Sequence, residues 1–361
     1  MEFFAGLDVS IEETAVCVVD DTGDIHLQTT VETDPDAIRE VLKPMLGTLC
    51  RVGHEAGALA PWLQPELVAR GVPAVCLEAN HVRAAAAMAA QRNKTDATDA
   101  LGLAHIVRTG WYRTAYIKGE DVYRLRLLLT QRRTLKRKFL DLENTIRHSL
   151  KVFGIRLSRV SRGRFEAAVR EAVADDPLVT DVMEAMLGAR AALWTEYGKL
   201  HDRVVKFVAG DPQCRRFMAI PGVGPVTALT FFTAVDDPTR FQRSRDVAAY
   251  FGLTSKRRQS GTSIDVNGRI SKAGDPDVRR ALYEAASALM TRFKGRDKVK
   301  TWGQAIAKRG CHRKATVAVA RKLAVIMHAM WRDGTEYDGA PAGDQAPAAR
   351  RGGSAREPAV A

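Results

Sequence analysis

No stretch of the chain stays apolar for the roughly 18 residues a membrane-spanning helix needs. The most apolar late stretch, Ala315 to Met330, is broken by Arg321 and Lys322. The start, Met1-Glu2-Phe3-Phe4, soon reaches Asp8. It has neither a basic leader nor a long apolar segment and does not read as a secretory signal. Cysteine is scarce: Cys17, Cys50, Cys76, Cys214 and Cys311 are scattered, odd in number and form no CxxC pair. That spacing points to neither a disulfide framework nor a zinc site. No internal repeat is present. These absences lead to the expectation of a cytoplasmic chain without membrane partners.

What is present is a chain of 361 residues, enough for roughly two domains and a connector. With 46% hydrophobic and 27% charged residues, it is not a mostly disordered polymer. Lys and Arg number 55 against 42 Asp and Glu, a net charge of +13. Such an excess calls for a polyanionic partner, most simply nucleic acid. The excess is unevenly spread. Residues 1–100 carry seven basic and sixteen acidic residues, net −9; residues 113–164 carry fifteen and four, net +11; residues 240–321 carry twenty and six, net +14. An acidic region that must approach a polyanion needs metal cations to do so.

Phe3 to Val9, Thr14 to Val19 and Ile25 to Val31 read as three strands joined by tight turns, Asp21-Thr22-Gly23-Asp24 among them. Pro35 to Met45 reads as a helix, Leu49 to His54 as a fourth strand, Pro61 to Arg70 as a helix, Pro73 to Leu77 as a fifth strand and Asp96 to Val107 as a helix. The order βββ-α-β-α-β-α predicts an α/β domain of the ribonuclease-H-like (RuvC-like) class. Residues 122–153 carry a heptad: Leu125, Phe139, Ile146 and Phe153 fall on one seam, interrupted by Arg132, and Leu128, Leu135 and Leu142 on the other. Long coiled-coil helices follow from it, either between protomers or folded back on the helix around 178–208. The expected division is residues 1–112, a metal-binding α/β domain; 113–209, basic coiled-coil and linker helices; 210–333, a mostly helical C-terminal domain; and 334–361, a disordered tail.

Four acids sit where a metal site could form. Asp8 ends the first strand, Glu55 ends the fourth, and Asp96 and Asp99 lie three apart at a helix start, hence on one face. Carboxylates that converge from distant strand ends suit two-metal phosphoryl transfer, and an all-oxygen donor set suits Mg²⁺. Turn formation by Asp8 and macrodipole stabilisation by Asp96 and Asp99 are the structural alternatives. His105, six residues after Asp99, reads as a structural histidine. Ile220-Pro221-Gly222-Val223-Gly224-Pro225 follows the helix-hairpin-helix pattern, in which Gly222 and Gly224 would offer backbone N–H groups to a phosphate. Ser260 lies in a glycine-flanked loop among Lys256, Arg257 and Arg258, followed by Arg269 and Lys272. These side chains, with Arg132, Arg133, Lys136 and Arg137 on the heptad helix, are the candidate nucleic-acid contacts.

Taken together, Gly6-Leu7-Asp8-Val9-Ser10, His54-Glu55-Ala56, Asn93-Lys94-Thr95-Asp96-Ala97-Thr98-Asp99-Ala100, Ile220-Pro221-Gly222-Val223-Gly224, Gln259-Ser260-Gly261 and Gly268-Arg269-Ile270-Ser271-Lys272-Ala273-Gly274-Asp275 resemble one family over about residues 3–330. It is the insertion-sequence transposases that join a RuvC-like DEDD domain to a serine-bearing C-terminal domain, the bridge-RNA-guided recombinases. The resemblance implies that Asp8, Glu55, Asp96 and Asp99 hold Mg²⁺, two ions per site, and that Ser260 is the nucleophile. Members often carry two serines before the glycine; this chain has Gln259-Ser260, with Ser255 and Ser263 as distant rivals. It further implies donor and target DNA and a noncoding bridge RNA as partners, dimers that pair into tetramers, and residence at the nucleoid. A junction resolvase using the acids and water, or a non-enzymatic nucleic-acid binder, are the competing expectations.

Overall fold

The structure, a computed structural model, describes residues 1–88, 95–157, 160–261 and 264–340. Asn93 and Lys94 of the acidic motif, Ser263 and residues 341–361 of the expected tail lie outside the described residues. The chain forms two compact units, residues 1–120 and 121–361.

In the first unit, β1 (Phe3–Val9), β2 (Glu13–Asp20) and β3 (Ile25–Glu32) form an antiparallel meander. After α1 (Pro35–Leu42), β4 (Leu49–Glu55) joins β1 in parallel. Following α2 (Ala60–Ala69), β5 (Ala74–Leu77) extends the sheet, again in parallel. The strand order is β3-β2-β1-β4-β5, a mixed sheet as the element order implied. Next come α3 (Ala79–Met88), which the sequence pattern did not reveal, and α4 (Asp96–Thr109). The unit runs past 112 to Glu120 because Thr114 bridges Leu77 and the Ala115 N–H donates to the Cys76 carbonyl.

The period of two sorts the sheet into faces. Ala5 and Leu7, with Val16, Val18 and Val52, pack under α1 and α2 against Ile38, Leu42, Leu63 and Leu67. Phe4, Ala15, Cys17 and Val19 pack instead against Ala100 and Ala104 of α4.

The second unit begins with α5 (Glu120–Ser149), α6 (Phe165–Val173) and α7 (Pro177–Gly210). The heptad is used within the chain. Arg132 reaches Tyr197 and His201, Phe139 meets Trp194 edge-on at 4.9 Å, and Glu143 binds Arg190, so α5 and α7 pair antiparallel. Leu125 and Leu128 pack on the C-terminal core, while Ile146 is buried with Phe165, Val169 and Leu187. Then follow α8 (Pro212–Met218), α9 (Pro225–Val235) and α10 (Ser244–Tyr250). A two-stranded hairpin, β6 (Ser255–Ser260) and β7 (Ile264–Ile270), precedes α11 (Pro276–Thr291), α12 (Lys298–Arg309) and α13 (His312–Asp333). The core gathers Phe217, Phe231, Phe251, Leu282, Leu289 and Leu323. The chain does not fray at 334: Tyr337 donates to Asp297 at 2.7 Å and Lys298 pairs with Asp338 at 2.7 Å.

One buried ion cluster ties α5, α6 and α7 together. Arg190, 3% exposed, donates to Glu143 at 2.6 and 3.0 Å and to Glu166 at 2.8 Å. Arg147 stands 3.9 Å from Glu143, too far to replace it. Removing one member of such a cluster leaves a buried charge uncompensated. Arg190→Met is therefore expected to cost about 3–5 kcal/mol in urea unfolding, and the double change with Glu143→Leu should recover most of it. A single variant within about 1 kcal/mol of the parent would contradict this account.

Candidate functional site

Asp8 and Glu55 share the α4 face of the sheet, because they alternate in step with Gly6 and Gly53. Glu55 is the last residue of β4. It lies close enough to Cys76 to add to the burial that pushes that thiol up to about 11.

Gly6 makes the arrangement possible. A Cβ there would stand 2.0 Å from the Ala100 carbonyl oxygen and 2.4 Å from the Ala104 nitrogen, and one at Gly53 would stand 2.4 Å from Val107. With no side chain at either position, α4 lies directly on β1 and β4. Its first turn is capped reciprocally: the Thr98 N–H donates to the Thr95 hydroxyl at 3.2 Å, and the Thr95 N–H donates to the Thr98 hydroxyl at 3.0 Å. Asp96 and Asp99 sit in that turn, where the positive end of the helix favours carboxylates. The two acids of the sheet and the two of the helix thus belong to one face of one sheet.

The side chains do not close into a cage. Among the described residues, no three His, Cys, Asp or Glu side chains are grouped to hold a metal ion. The donor chemistry suits Mg²⁺, and the backbone supplies the common face; the carboxylates as placed do not assemble ligands. His54 is buried on the opposite face from Glu55, and burial lowers its pKa. His105 is also held below the usual histidine range by burial, with Arg108 adding to it.

Ser260 ends β6, where it pairs with Ile264, and every residue of β6 is exposed. What reads in sequence as a glycine-flanked loop is a hairpin. Its legs are fixed at the base: the Ser271 N–H donates to the Thr254 carbonyl and the Lys272 N–H to the Gly252 carbonyl. Arg279 of α11 donates to the carbonyls of Phe251, Ala273 and Gly274. Lys256, Arg258 and Arg269 are exposed. Arg257 is engaged bidentately by Asp265 across the hairpin at 2.6 and 2.8 Å. Lys272 has a left-handed backbone, φ 57°.

On α5 the candidate cations divide. Arg137 is exposed and Lys136 half-buried. Arg132 is a correction: it is 7% exposed, donates to Tyr197 at 2.7 Å and stacks over that ring, so it belongs to the α5–α7 packing. Arg133 pairs with Asp277 at the start of α11. Gly222 and Gly224 lie in the turn between α8 and α9. Gly222 has φ 92°, and a Cβ there would stand 2.5 Å from the Ala285 carbonyl. Close approach to α11 therefore already accounts for that glycine.

Residues 5–154 match the DEDD transposase domain of IS110 elements, and residues 214–301 match a domain described as transposase of the IS116/IS110/IS902 family. The chain is 26% identical over 330 residues to the transposase for insertion sequence element IS1111A of Coxiella burnetii, covering 90% of this chain and 88% of that one. It is 28% identical over 295 residues to the putative transposase y4pF/y4sB of Sinorhizobium fredii, covering 80% and 70%. The solved structure of T. thermophilus RuvC in complex with Holliday junction substrate aligns with 32% of this chain and 100% of its own at 15% identity. Its TM-score of 0.24 is too low to bear on the site. No helix among the described residues is long and apolar enough to cross a membrane.

Proposed function

We propose, for a chain that belongs to the IS110/IS116/IS902 family of insertion-sequence transposases, that it cuts and rejoins DNA through a covalent phosphoserine link at Ser260. The observation that carries the reading is the joint presence of two features. One is an α/β domain that sets Asp8, Glu55, Asp96 and Asp99 on one face; the other is an exposed hairpin that ends in Ser260.

In this reading the Ser260 hydroxyl oxygen attacks a phosphodiester. The Oγ–P bond forms, the bond to one sugar oxygen breaks, and the serine proton ends on that leaving oxygen, so a strand end is freed as a sugar hydroxyl. A second strand end reverses the exchange onto a new partner. Because one phosphodiester replaces another, no external energy source enters. A serine hydroxyl is a weak nucleophile unless polarised, and Arg258 and Arg269 supply positive charge for the developing oxyanion. Mg²⁺ on the four acids, two ions per site, would offset carboxylate repulsion of phosphate and polarise the phosphoryl oxygens.

The same reading gives the chain donor and target DNA and a noncoding bridge RNA as partners. Base pairing then reads sequence while the protein holds backbone. It also makes the working form a tetramer of paired dimers, acids of one subunit meeting the serine of another, in the cytoplasm at the nucleoid. The test is strand joining between donor and target plasmids with purified protein and transcripts from the DNA flanking the gene. Joined product should require Mg²⁺ and one such transcript. Joining without any transcript would remove the RNA from the mechanism, and joining in excess chelator would remove the metal.

A further inference from the structure

Between Lys298 and Arg332 the chain carries nine Lys and Arg residues and no Asp or Glu. This segment is α12 and α13, of which all but the first four residues lie beyond the stretch that matches the family's C-terminal domain. The nearest acids in sequence stand at its ends: buried Asp297 caps α12, Asp333 pairs with Arg332, Glu336 pairs with Arg216 and Asp338 pairs with Lys298.

The two helices pack against each other at Gly303, where a Cβ would stand 2.5 Å from a Val319 methyl and would press on α13. That contact fixes what stands beside it. Trp302 keeps 42% of its surface exposed, and the Lys322 ammonium sits 6.0 Å from the ring centroid. Arg309 shares the Trp302 face two turns along α12, and Lys314 shares the Lys322 face two turns back along α13. Both are exposed, as is Arg321.

An exposed indole flanked by cations, on two helices whose own residues from 298 to 332 include no carboxylate, has the two elements that hold a single strand: a stacking platform and phosphate contacts. A duplex cannot use the platform, because its bases already stack on one another. We propose that the outer face of α12 and α13 binds an unpaired nucleotide, its base stacked on Trp302 and its phosphates held by Lys322 with Arg309, Lys314 and Arg321. The proposal rests on the reading that the chain works on nucleic acid, and adds to it a place where that nucleic acid must be single-stranded.

The full chain would be titrated with labelled oligo-dT, oligo-rU and a mixed-sequence duplex. Trp302→Ala should lose about 10- to 100-fold for one or both single strands, with the duplex changed less than about twofold. Trp302→Phe should stay within about threefold of the parent, since the ring remains. Lys322→Gln should flatten the single-strand salt slope by about 0.7. Loss on oligo-rU alone would identify RNA as the ligand, and loss on oligo-dT alone would identify DNA. Unchanged single-strand binding by Trp302→Ala, or equal losses on single strand and duplex, would overturn the proposal and leave the transposase reading standing. So would displacement by polyglutamate as effective as by oligonucleotide. Failure of the parent protein to bind any of the three would overturn both.

Discussion

Ser260→Ala is expected to end strand joining, by at least about 10⁴-fold, while leaving nucleic-acid binding and thermal stability close to those of the parent. The hydroxyl is the atom on which the proposed exchange turns. Without it no Oγ–P bond can form, and the exposed residues of β6 lose little packing when one oxygen is removed. The direct readout is a denaturing gel of protein with labelled DNA. The parent should give a shifted covalent adduct that Ser260→Ala lacks. Asp99→Ala should also stop joining, yet it keeps the serine. If acids and serine act from different subunits, mixing the two dead variants should restore part of the activity through hybrid oligomers. Joining by Ser260→Ala at the parental rate would end the serine mechanism and favour a resolvase that uses the acids and water. Restoration that fails at every mixing ratio would place acids and serine in the same subunit.

The first unit was largely legible from its residues, the second much less so, and the difference is physical. Strands β1, β2, β4 and β5 of the first unit bury one or both faces, so their runs of Val, Ala, Leu and Cys announce them: β1 falls on Phe3–Val9 as read, and β2, β4 and β5 shift by only a residue or so. Glu55 and Asp8 could be placed at strand ends for the same reason. The β6–β7 hairpin could not. Ser-Lys-Arg-Arg-Gln-Ser is exposed throughout and carries no apolar alternation. Its strand geometry comes from pairing and from Arg279 of α11, which ties the carbonyl of Phe251 before the hairpin to those of Ala273 and Gly274 after it. The heptad was visible, and the helix around 178–208 was one of the two partners it allowed; the choice between that helix and a second protomer was not. Periodicity says that Phe139 and Ile146 face something apolar, not that the something is α7 of the same chain. Arg132 shows the same limit: inside a run of cations it reads as a phosphate contact, and only Tyr197 and His201, some 65 and 69 residues away, show why it is buried.

Gly6→Val should be as damaging to joining as loss of one of the proposed metal-binding acids, although Gly6 bears no functional group. Its would-be Cβ overlaps the Ala100 carbonyl oxygen and the Ala104 nitrogen. These are backbone atoms in the middle of a helix, with no flexible side chain to give way. Any side chain therefore lifts α4 off β1. Overpacking of this kind costs about 1–3 kcal/mol, and Gly6→Ala should already show it as a lowered midpoint in thermal unfolding. The larger consequence is positional. Asp96 and Asp99 ride on the first turn of α4, while Asp8 is two residues along β1 from Gly6. Displacing the helix separates the two pairs of acids, and about 1 Å of misplacement can cost on the order of 100-fold in rate. The matching control is Gly47→Ala, because a Cβ there meets nothing within 4 Å; it should leave joining and unfolding unchanged. If Gly6→Ala joins strands at the parental rate with an unaltered unfolding midpoint, then the close seat of α4 on β1 does not position the acids, and their shared face of the sheet is incidental to the chemistry.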